Sequence, residues 1–346
     1  MGAVLCGLVI ILLVVPAAAE VVVPHGFTVQ TYVSGQGADA RGDFDTPGFP
    51  TFITLAMDHV GTLYLARSRL RFRESQGEEL APIYRFPVGG ARMTPENEPR
   101  YLYGPPLRSP RVAAVSAQGE VFVSTYDRDR KIGALYRLKD GRASLFAGGT
   151  PPPASPPLLR QPEGVAVDPS GNVYVVDGEQ GTVVKLDPTG KVLDPRHLSG
   201  VGRGRMLTFD PKGRLWIGSD GPQEASFQDA SGQIWRAAAD GALTLIHQGP
   251  LPSGMSLSPG GFLFVGQRRA GKIFTLTPEG ARVEFTDLAE NTILRTLTFA
   301  PVTPETRRAG IAGDLFLATS PRSNFAAVEV VRVTGPFDEF IQRQSR

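Results

Sequence analysis

Cysteine and histidine are scarce in this sequence. One Cys and four His occur among its 346 residues, which excludes a disulfide framework and a cysteine-based zinc site and leaves little room for a multi-histidine metal centre. Neither sign of charge dominates, because 36 Lys and Arg residues face 34 Asp and Glu residues, a net charge of +2. Nucleic-acid binding proteins typically show a concentrated basic face, so we expect no nucleic-acid partner.

Long amphipathic helical stretches and domain linkers are also missing from the sequence. Hydrophobic residues make up 41% of the chain and charged residues 20%, so the chain can bury a large core and is not disordered. Gly (40) and Pro (30) are more abundant than average but follow no collagen-like period. The length of 346 residues suits two or three ordinary domains or one large all-β domain, and because no linker separates domains we expect a single domain over residues 20–346.

The first 19 residues have the composition of a secretory signal. An uncharged aliphatic run from Val4 to Val15 precedes Pro16 and the small residues Ala17-Ala18-Ala19, and Glu20 follows. An apolar stretch that ends at an A-x-A site predicts a signal peptide over residues 1–19 and a secreted or periplasmic protein. An uncleaved membrane anchor is the alternative, although about 17 apolar residues is short for a bilayer span.

The rest of the chain is a repeat of strand, turn and strand. In the clearest unit, Pro162-Glu-Gly-Val-Ala-Val-Asp-Pro-Ser-Gly-Asn-Val-Tyr-Val-Val-Asp177, two apolar strands flank a Pro-Gly turn. Five further units follow the same pattern. The turn glycines of the six units are Gly61, Gly119, Gly171, Gly213, Gly261 and Gly313. They lie 42 to 58 residues apart, a spacing that suits one four-stranded sheet for each unit.

Four-stranded units at this spacing predict a six-bladed β-propeller. A single blade is apolar on both faces, so stacking the blades around one axis is what buries them. The expected blades cover residues 50–95, 110–148, 162–198, 205–248, 252–288 and 294–341. An isolated strand at about residues 26–34 precedes them, and we expect it to pair with Val328–Val333 and close the ring.

Two family resemblances accompany the repeat. Residues Pro162 to Gly190 resemble an NHL repeat, P-x-G-V-A-V-D-x-x-G-N-V-Y-V-x-D. The segment Pro24-His-Gly-Phe-Thr-Val-Gln-Thr-Tyr, together with Leu297-Thr-Phe-Ala-Pro, Gly313-Asp-Leu-Phe-Leu-Ala and Glu329-Val-Val-Arg-Val333, is similar to the first strand and last blade of the soluble quinoprotein glucose and sorbosone dehydrogenases.

The second resemblance implies an activity. Members of that family hold pyrroloquinoline quinone, with calcium, on the central face of the propeller and oxidise aldoses, using a His as base and Arg and Lys residues for the quinone carboxylates. The family's His position falls near Arg111 to Ala114, where this sequence has no His. Its Arg position falls on Gly202, and Arg203 follows one residue later.

Propeller sites lie where the inner strands open onto the central channel. The residues expected at that rim are rich in arginine, and guanidinium groups suit planar anions such as carboxylates. The candidate ligand-binding residues are Arg67, Arg111, Arg205, Arg268 and Arg295. The candidate acids and bases are Glu163, Asp177 and Asp220. The alternative is that these residues form a ring of salt bridges whose only role is to hold the blades together.

A second cluster of arginines follows the first unit. Arg67, Arg69, Arg71 and Arg73 occupy alternate positions, so they would share one face of an extended strand. Such a face could form an electropositive lip over the channel. A long exposed hairpin, with Glu74, Glu78 and Glu79 as ion-pair partners, is the alternative.

Three functions remain open from the sequence. The first is an exported sugar-dehydrogenase-like propeller that binds a polar, anionic small molecule in its central pocket, with a quinone cofactor if it is an oxidoreductase. The second is a non-catalytic NHL-type propeller that binds a protein or a glycan. The third is a lactonase-like, metal-dependent hydrolase, for which Glu163 and Asp177 have suitable side chains but Asn172 lies in a hairpin turn. We expect no metal site.

Overall fold

The protein is a six-bladed β-propeller. The computed structural model describes residues 20–35, 52–68, 80–94, 96–127, 129–153, 155–221, 231–267, 271–322 and 328–345. Its main sheets are antiparallel and are arranged around one central channel. The expected fold is therefore confirmed, while the predicted signal peptide lies outside the described residues.

The first strand and the first blade cover residues up to 108. Their strands are β1 (Thr28–Gly35), β2 (Phe52–Met57), β3 (Leu63–Ser68), β4 (Leu80–Ala81), β5 (Ile83–Phe86), β6 (Ala91–Met93) and β7 (Leu107–Arg108). Strands β2, β3 and β5 form a three-stranded blade, and β4 pairs with β7. This blade departs from the expected four strands because Pro87 ends β5 and the chain then turns through Gly89 and Gly90, so that β6 pairs with β1 instead.

The next four blades are regular four-stranded sheets. Blade 2 has β8 (Arg111–Val115), β9 (Val121–Asp127), β10 (Ile132–Lys139) and β11 (Arg142–Gly148). Blade 3 has β12 (Pro162–Val167), β13 (Val173–Asp177), β14 (Thr182–Leu186) and β15 (Val192–Ser199). Blade 4 has β16 (Gly204–Phe209), β17 (Leu215–Ser219), β18 (Ser231–Ala237) and β19 (Leu243–Pro250). Blade 5 has β20 (Pro252–Leu257), β21 (Leu263–Gln267), β22 (Lys272–Leu276) and β23 (Arg282–Asp287).

The sixth blade is completed by the strand from the other end of the chain. Its elements are β24 (Thr292–Phe299), the short helix α1 (Pro304–Arg308), β25 (Leu315–Pro321), β26 (Glu329–Thr334) and the helix α2 (Phe337–Gln344). Strand β1 pairs antiparallel with β26, with Thr28 opposite Thr334 and Thr31 opposite Val331. This pairing confirms the predicted ring closure, in which the N-terminal strand β1 joins the last blade.

Asp side chains shape the hairpins between the first and second strands of several blades. In blade 3, Asp168 Oδ1 accepts hydrogen bonds from the backbone N–H groups of Ser170 and Asn172, each at 2.9 Å. The turn needs a residue at positive φ, and Gly171 supplies it with φ 84°. Asp58 and Asp210 cap the equivalent turns of blades 1 and 4 in the same way. The repeat therefore encodes turn chemistry as well as strand pattern.

The C-terminal helix α2 was not expected from the sequence. Phe337 and Ile341 are buried on its inner face, where the Phe337 ring lies 5.0 Å from Phe27 and 5.1 Å from Phe299 between ring centroids. These edge-to-face contacts seal the hydrophobic cluster between blades 5 and 6. In the described part of the chain, no helix has the length and hydrophobicity that crossing a bilayer requires.

Candidate ligand site at the mouth of the central channel

The six inner strands surround one polar channel. Strands β2, β8, β12, β16, β20 and β24 contribute to its lining, and its volume is about 370 Å³. All six run in the same direction, so their first residues meet at one end, which we call the mouth. At the mouth the lining includes Arg111, Glu163, Arg205 and Ser253, from four consecutive blades.

Bulges in the inner strands place side chains at the mouth. In β16, Gly204 pairs with Ser219 and Met206 with Gly218, which leaves Arg205 as an extra residue. Strand β12 carries such a bulge at Glu163 and Gly164, β20 at Ser253, and β24 at Arg295. A β-bulge re-aims the side chain of its extra residue. The candidate rim residues Glu163, Arg205 and Arg295 therefore lie within the inner strands.

Arg111 and Glu163 form an ion pair between blades 2 and 3. Arg111 is the first residue of β8, and its guanidinium contacts Glu163 Oε2. The other carboxylate oxygen accepts a hydrogen bond from Gln161 Nε2 at 2.8 Å. Only 4% of the Glu163 side chain is exposed, so its carboxylate is held by two fixed donors rather than by solvent.

A chain of polar contacts continues outward from this ion pair. Arg203 Nη1 lies 3.5 Å from Gln161 Oε1, and Arg203 Nη2 lies 3.5 Å from Glu179 Oε2. Glu179 Oε1 accepts from Lys131 Nζ at 3.1 Å, and this hydrogen bond lowers the pKa of Glu179. Glu163 and Glu179, the acidic residues in this chain of contacts, therefore both have basic or amide partners.

Arg205 pairs with Asp220 within blade 4. Arg205 Nη1 donates to Asp220 Oδ2 at 2.8 Å, and 5% of the Asp220 side chain is exposed. The second oxygen, Asp220 Oδ1, is buried without a hydrogen-bond partner among the described residues. Arg205 keeps N–H donors beyond the one it uses here, because a guanidinium has five. The 20% of its side chain that remains exposed allows those donors to reach a ligand.

Ser253 and Arg295 occupy the bulges of blades 5 and 6, and of these two only Ser253 is among the described residues that line the channel. Ser253 Oγ is buried and has no hydrogen-bond partner among the described residues. Arg295 Nε donates to Ser320 Oγ at 3.1 Å. Burial lowers the pKa of Arg295 to about 10, so this guanidinium still carries its positive charge at neutral pH.

Asp177 has a different environment from the other candidates. Its Oδ2 accepts the backbone N–H groups of Arg160 at 2.5 Å and Gln161 at 3.2 Å, and its Oδ1 accepts those of Glu179 at 3.1 Å and Gln180 at 2.9 Å. Asp177 is fully buried and does not line the channel. The carboxylate therefore holds in place the backbone at residues 160–161 and 179–180, so the role of Asp177 is structural.

Two of the candidate arginines lie outside what the structure describes. The backbone of Arg67 belongs to β3, but its side chain is outside the described part, and so is the whole of Arg268. Residues 69–79, which hold the rest of the alternating arginine cluster, are outside it as well. These assignments remain predictions.

The described mouth does not fit the cofactors that the resemblance implies. All four histidines are described, and none lines the channel: His25 precedes β1, His59 lies in a hairpin turn, and His197 and His247 are on outer strands. The residue that would act as base in quinone-dependent oxidation is therefore missing from the site.

A metal centre is not supported by the described residues either. They contain no cluster of three or more His, Cys, Asp or Glu side chains that could hold a metal ion. Glu163 and Asp220 are each paired with an arginine, and Asp177 is occupied by backbone amides. Asn172, the remaining donor considered for a lactonase-like site, donates to Asp168 Oδ2 in its hairpin turn.

Comparisons with known proteins agree with this architecture. Residues 159–186 match the NHL repeat family model, and this range contains the whole of the first three strands of blade 3. The chain is thus a six-bladed β-propeller that contains an NHL repeat. Among curated proteins, no match to the sequence is found.

Solved structures with the same fold cover almost the whole chain. The pyrroloquinoline quinone-bound aldose sugar dehydrogenase of Streptomyces coelicolor is 15% identical, with a TM-score of 0.58 over 90% of this chain and 99% of that one. A gluconolactonase of Xanthomonas campestris is 15% identical, with a TM-score of 0.57 over 93% and 99%. An auxiliary nutrient binding protein of Bacteroides ovatus is 12% identical, with a TM-score of 0.57 over 90% and 77%. At these identities the likeness shows the fold alone.

Proposed function

We propose that this protein is an exported propeller that binds a small hydroxylated carboxylate, such as a sugar acid, at the mouth of its central channel. The observation that carries the proposal is the convergence of Arg111, Arg205 and Ser253 on one polar cavity. Its volume of about 370 Å³ suits a ligand of monosaccharide size.

The chemistry of the mouth supports an acceptor-rich ligand. Arg111 and Arg205 both line the channel, and a protein carboxylate holds each guanidinium in place. Carboxylates and hydroxyls are the ligand groups that accept hydrogen bonds from guanidinium groups.

Some structural neighbours act on related compounds, which supports the same ligand class. Two of them are an aldose sugar dehydrogenase and a gluconolactonase, and a third is a nutrient binding protein. We do not extend the proposal to quinone-dependent sugar oxidation, because no histidine lines the channel. Binding without a redox cofactor is the function that the residues of this mouth favour.

Isothermal titration of the purified protein with sodium gluconate, sodium glucuronate and glucose tests the proposal. We expect the two acids to bind at least about tenfold more tightly than glucose, since an ion pair with a guanidinium contributes more than a neutral hydrogen bond. Equal affinity for glucose, or no binding of either acid, would overturn it. Addition of pyrroloquinoline quinone and calcium, with dye reduction on aldoses, forms a separate arm in which we expect no turnover.

A further inference from the structure

Three cations surround one carboxylate on the mouth side of blades 2 to 4. Lys131 precedes β10, Arg160 precedes β12 and Arg203 precedes β16, and we call these three residues the outer cationic cluster. Lys131 Nζ donates to Glu179 Oε1 at 3.1 Å, and Arg203 Nη2 lies 3.5 Å from Glu179 Oε2. The hydrogen bond from Lys131, followed by the charges of Lys131, Arg203 and Arg160, lowers the pKa of Glu179, because cations favour the ionised carboxylate. All three cations therefore act on the same group.

The outer cationic cluster carries more positive charge than its neighbours balance. Glu179 is one carboxylate against three cations. Even with Asp177 counted, whose Oδ2 accepts the N–H of Arg160, one positive charge is left over among the described residues. At the mouth itself the two channel-lining arginines each have their own carboxylate, so the charges cancel there. An excess of positive charge beside the mouth attracts anions.

The two guanidinium groups of the cluster are only loosely held. The contacts of Arg203 with Glu179 Oε2 and Gln161 Oε1 are both 3.5 Å, whereas charged hydrogen bonds are usually about 2.7–2.9 Å. The backbone N–H of Arg203 is fixed on Gly221 O at 2.8 Å, and 26% of its side chain is exposed. The half-buried side chain of Arg160 has no hydrogen bond or ion pair among the described residues. Both groups therefore keep N–H donors for a ligand.

The backbone of Lys131 points to a role other than stability. Its φ is 52°, in the left-handed region that is unfavourable for a residue with a Cβ atom and that Gly adopts freely. The Lys131 side chain is 62% exposed, and an ion pair in such a position adds little to stability. Strained backbone conformations of this kind cluster at functional sites. A lysine here therefore indicates that its charge is used, because Gly would be the more stable choice.

We propose that the outer cationic cluster binds a second anionic group of the ligand, which narrows the ligand class to sugar diacids such as glucarate. This inference rests on the proposed function and adds a subsite to it. Gln161 lies between the two places, since its Nε2 donates to Glu163 Oε1 at 2.8 Å and its Oε1 lies 3.5 Å from Arg203 Nη1. One amide side chain therefore separates the cluster from the Arg111–Glu163 pair at the mouth. An open-chain acid with a carboxylate at each end can contact both.

Titration with sodium gluconate and sodium glucarate tests the subsite, because the two acids share the same carbon chain and differ in the second carboxylate. We expect wild-type protein to bind glucarate at least about tenfold more tightly, since charge-assisted contacts with a guanidinium are strong. High salt should reduce this advantage, because the contact is electrostatic. Arg203→Gln and Arg160→Gln should each reduce the ratio of the two affinities about fivefold. Arg142→Gln, exposed on β11, is the matched control and should leave the ratio unchanged.

The substitution Lys131→Gly separates ligand binding from stability. It removes the charge and also relieves the unfavourable φ, so we expect the glucarate affinity to fall about fivefold while the Tm stays the same or rises. A purely structural role for Lys131 predicts the opposite, a lower Tm with an unchanged preference for glucarate. Titration calorimetry and thermal melting of the same samples distinguish the two roles.

The outcomes also separate this inference from the proposed function. If wild-type protein binds gluconate and glucarate equally well, the second subsite is wrong while the proposed function stands. If it binds neither acid, both fail. If it prefers glucarate and the preference survives Arg203→Gln, Arg160→Gln and Lys131→Gly, the second carboxylate binds elsewhere and the cluster is not the subsite. Should an arginine variant not fold, Lys131→Gly decides between these outcomes.

Discussion

Arg205 Nη1 lies 2.8 Å from Asp220 Oδ2, so the guanidinium that faces the channel is held from behind by a buried carboxylate. The bulge in β16 aims Arg205, and Asp220 follows directly after β17 of the same blade. The pair therefore belongs to one rigid hairpin. The net charge of the pair is zero. The affinity of the mouth for anions therefore depends on how strongly the negative charge of Asp220 offsets the positive charge of Arg205.

The substitution Asp220→Asn should tighten anion binding. An amide oxygen can still accept from Arg205, so the guanidinium stays in place while one negative charge leaves the mouth. We expect gluconate to bind roughly fivefold more tightly, about 1 kcal/mol, and the Tm to fall because a charged hydrogen bond is lost. Titration calorimetry and thermal melting measure the two effects. Asp240→Asn, in an exposed turn, serves as control; weaker gluconate binding in Asp220→Asn would show that its charge is needed for positioning instead.

Asp177 should matter for stability and not for ligand affinity. Its carboxylate accepts four backbone N–H groups and the Gln180 side chain, and removing it leaves those buried donors without partners. We expect Asp177→Ala to lower the free energy of unfolding by roughly 3 kcal/mol, as measured in urea. The partly exposed turn residue Asp187 accepts the N–H groups of Thr189 and Lys191, and Asp187→Ala should cost only about 1 kcal/mol. Similar losses for the two variants would contradict this reading.

The propeller could be predicted from the sequence because its signals are local. Apolar strands and a turn glycine such as Gly171 recur in every unit, and an Asp such as Asp168 caps the turn in three of them. These signals depend on neighbours within a few residues. The direction in which the side chains at the mouth point could not be predicted in the same way. A bulge, such as that at Arg205, depends on the register between two strands. No residue type in β16 indicates that Arg205 is the residue without a partner on the neighbouring strand.

The ion pair between blades 2 and 3 also could not be predicted from the sequence. Glu163 and Arg111 were both named as candidates, but their contact joins residues 52 positions apart on different sheets. Asp177 has the residue type of an acid or base, and only the loops around it show that backbone amides occupy its oxygens. Helix α2 was missed because eight residues hold barely two turns of apolar pattern, and its stability comes from packing on blades 5 and 6.

The C-terminal helix should contribute substantially to the stability of the ring. Phe337 is 3% exposed and contacts the rings of Phe27, Phe264, Phe285 and Phe299. We expect Phe337→Ala to lower the free energy of unfolding by about 3–5 kcal/mol, the usual cost of a cavity left by a buried aromatic ring. Phe340, on the same helix, is only partly buried, so Phe340→Ala should cost clearly less. Denaturant unfolding compares the two, and equal losses would show that α2 is anchored by something other than the Phe337 ring.

The stability of the protein should decrease as the pH rises through the titration of Glu329. Glu329 begins β26 opposite Thr319, whose hydroxyl is buried without a hydrogen-bond partner among the described residues. Burial raises the pKa of Glu329 above its ordinary value of 4.5, because desolvation disfavours the charged carboxylate.

The sign of the effect follows from proton linkage. Since the folded state binds this proton more tightly than the unfolded state, stability is greatest below the ordinary pKa and is lost between that value and the raised folded pKa. Glu329→Gln keeps the shape of the side chain and removes the charge, so the variant should have a higher Tm than wild type at pH 7 and the same Tm near pH 4. Melting curves from pH 4 to pH 7 measure this difference, with Glu279→Gln in an exposed turn as control. A Tm difference that does not vary with pH would mean that Glu329 is solvated in the folded protein and that its charge is not what burial opposes.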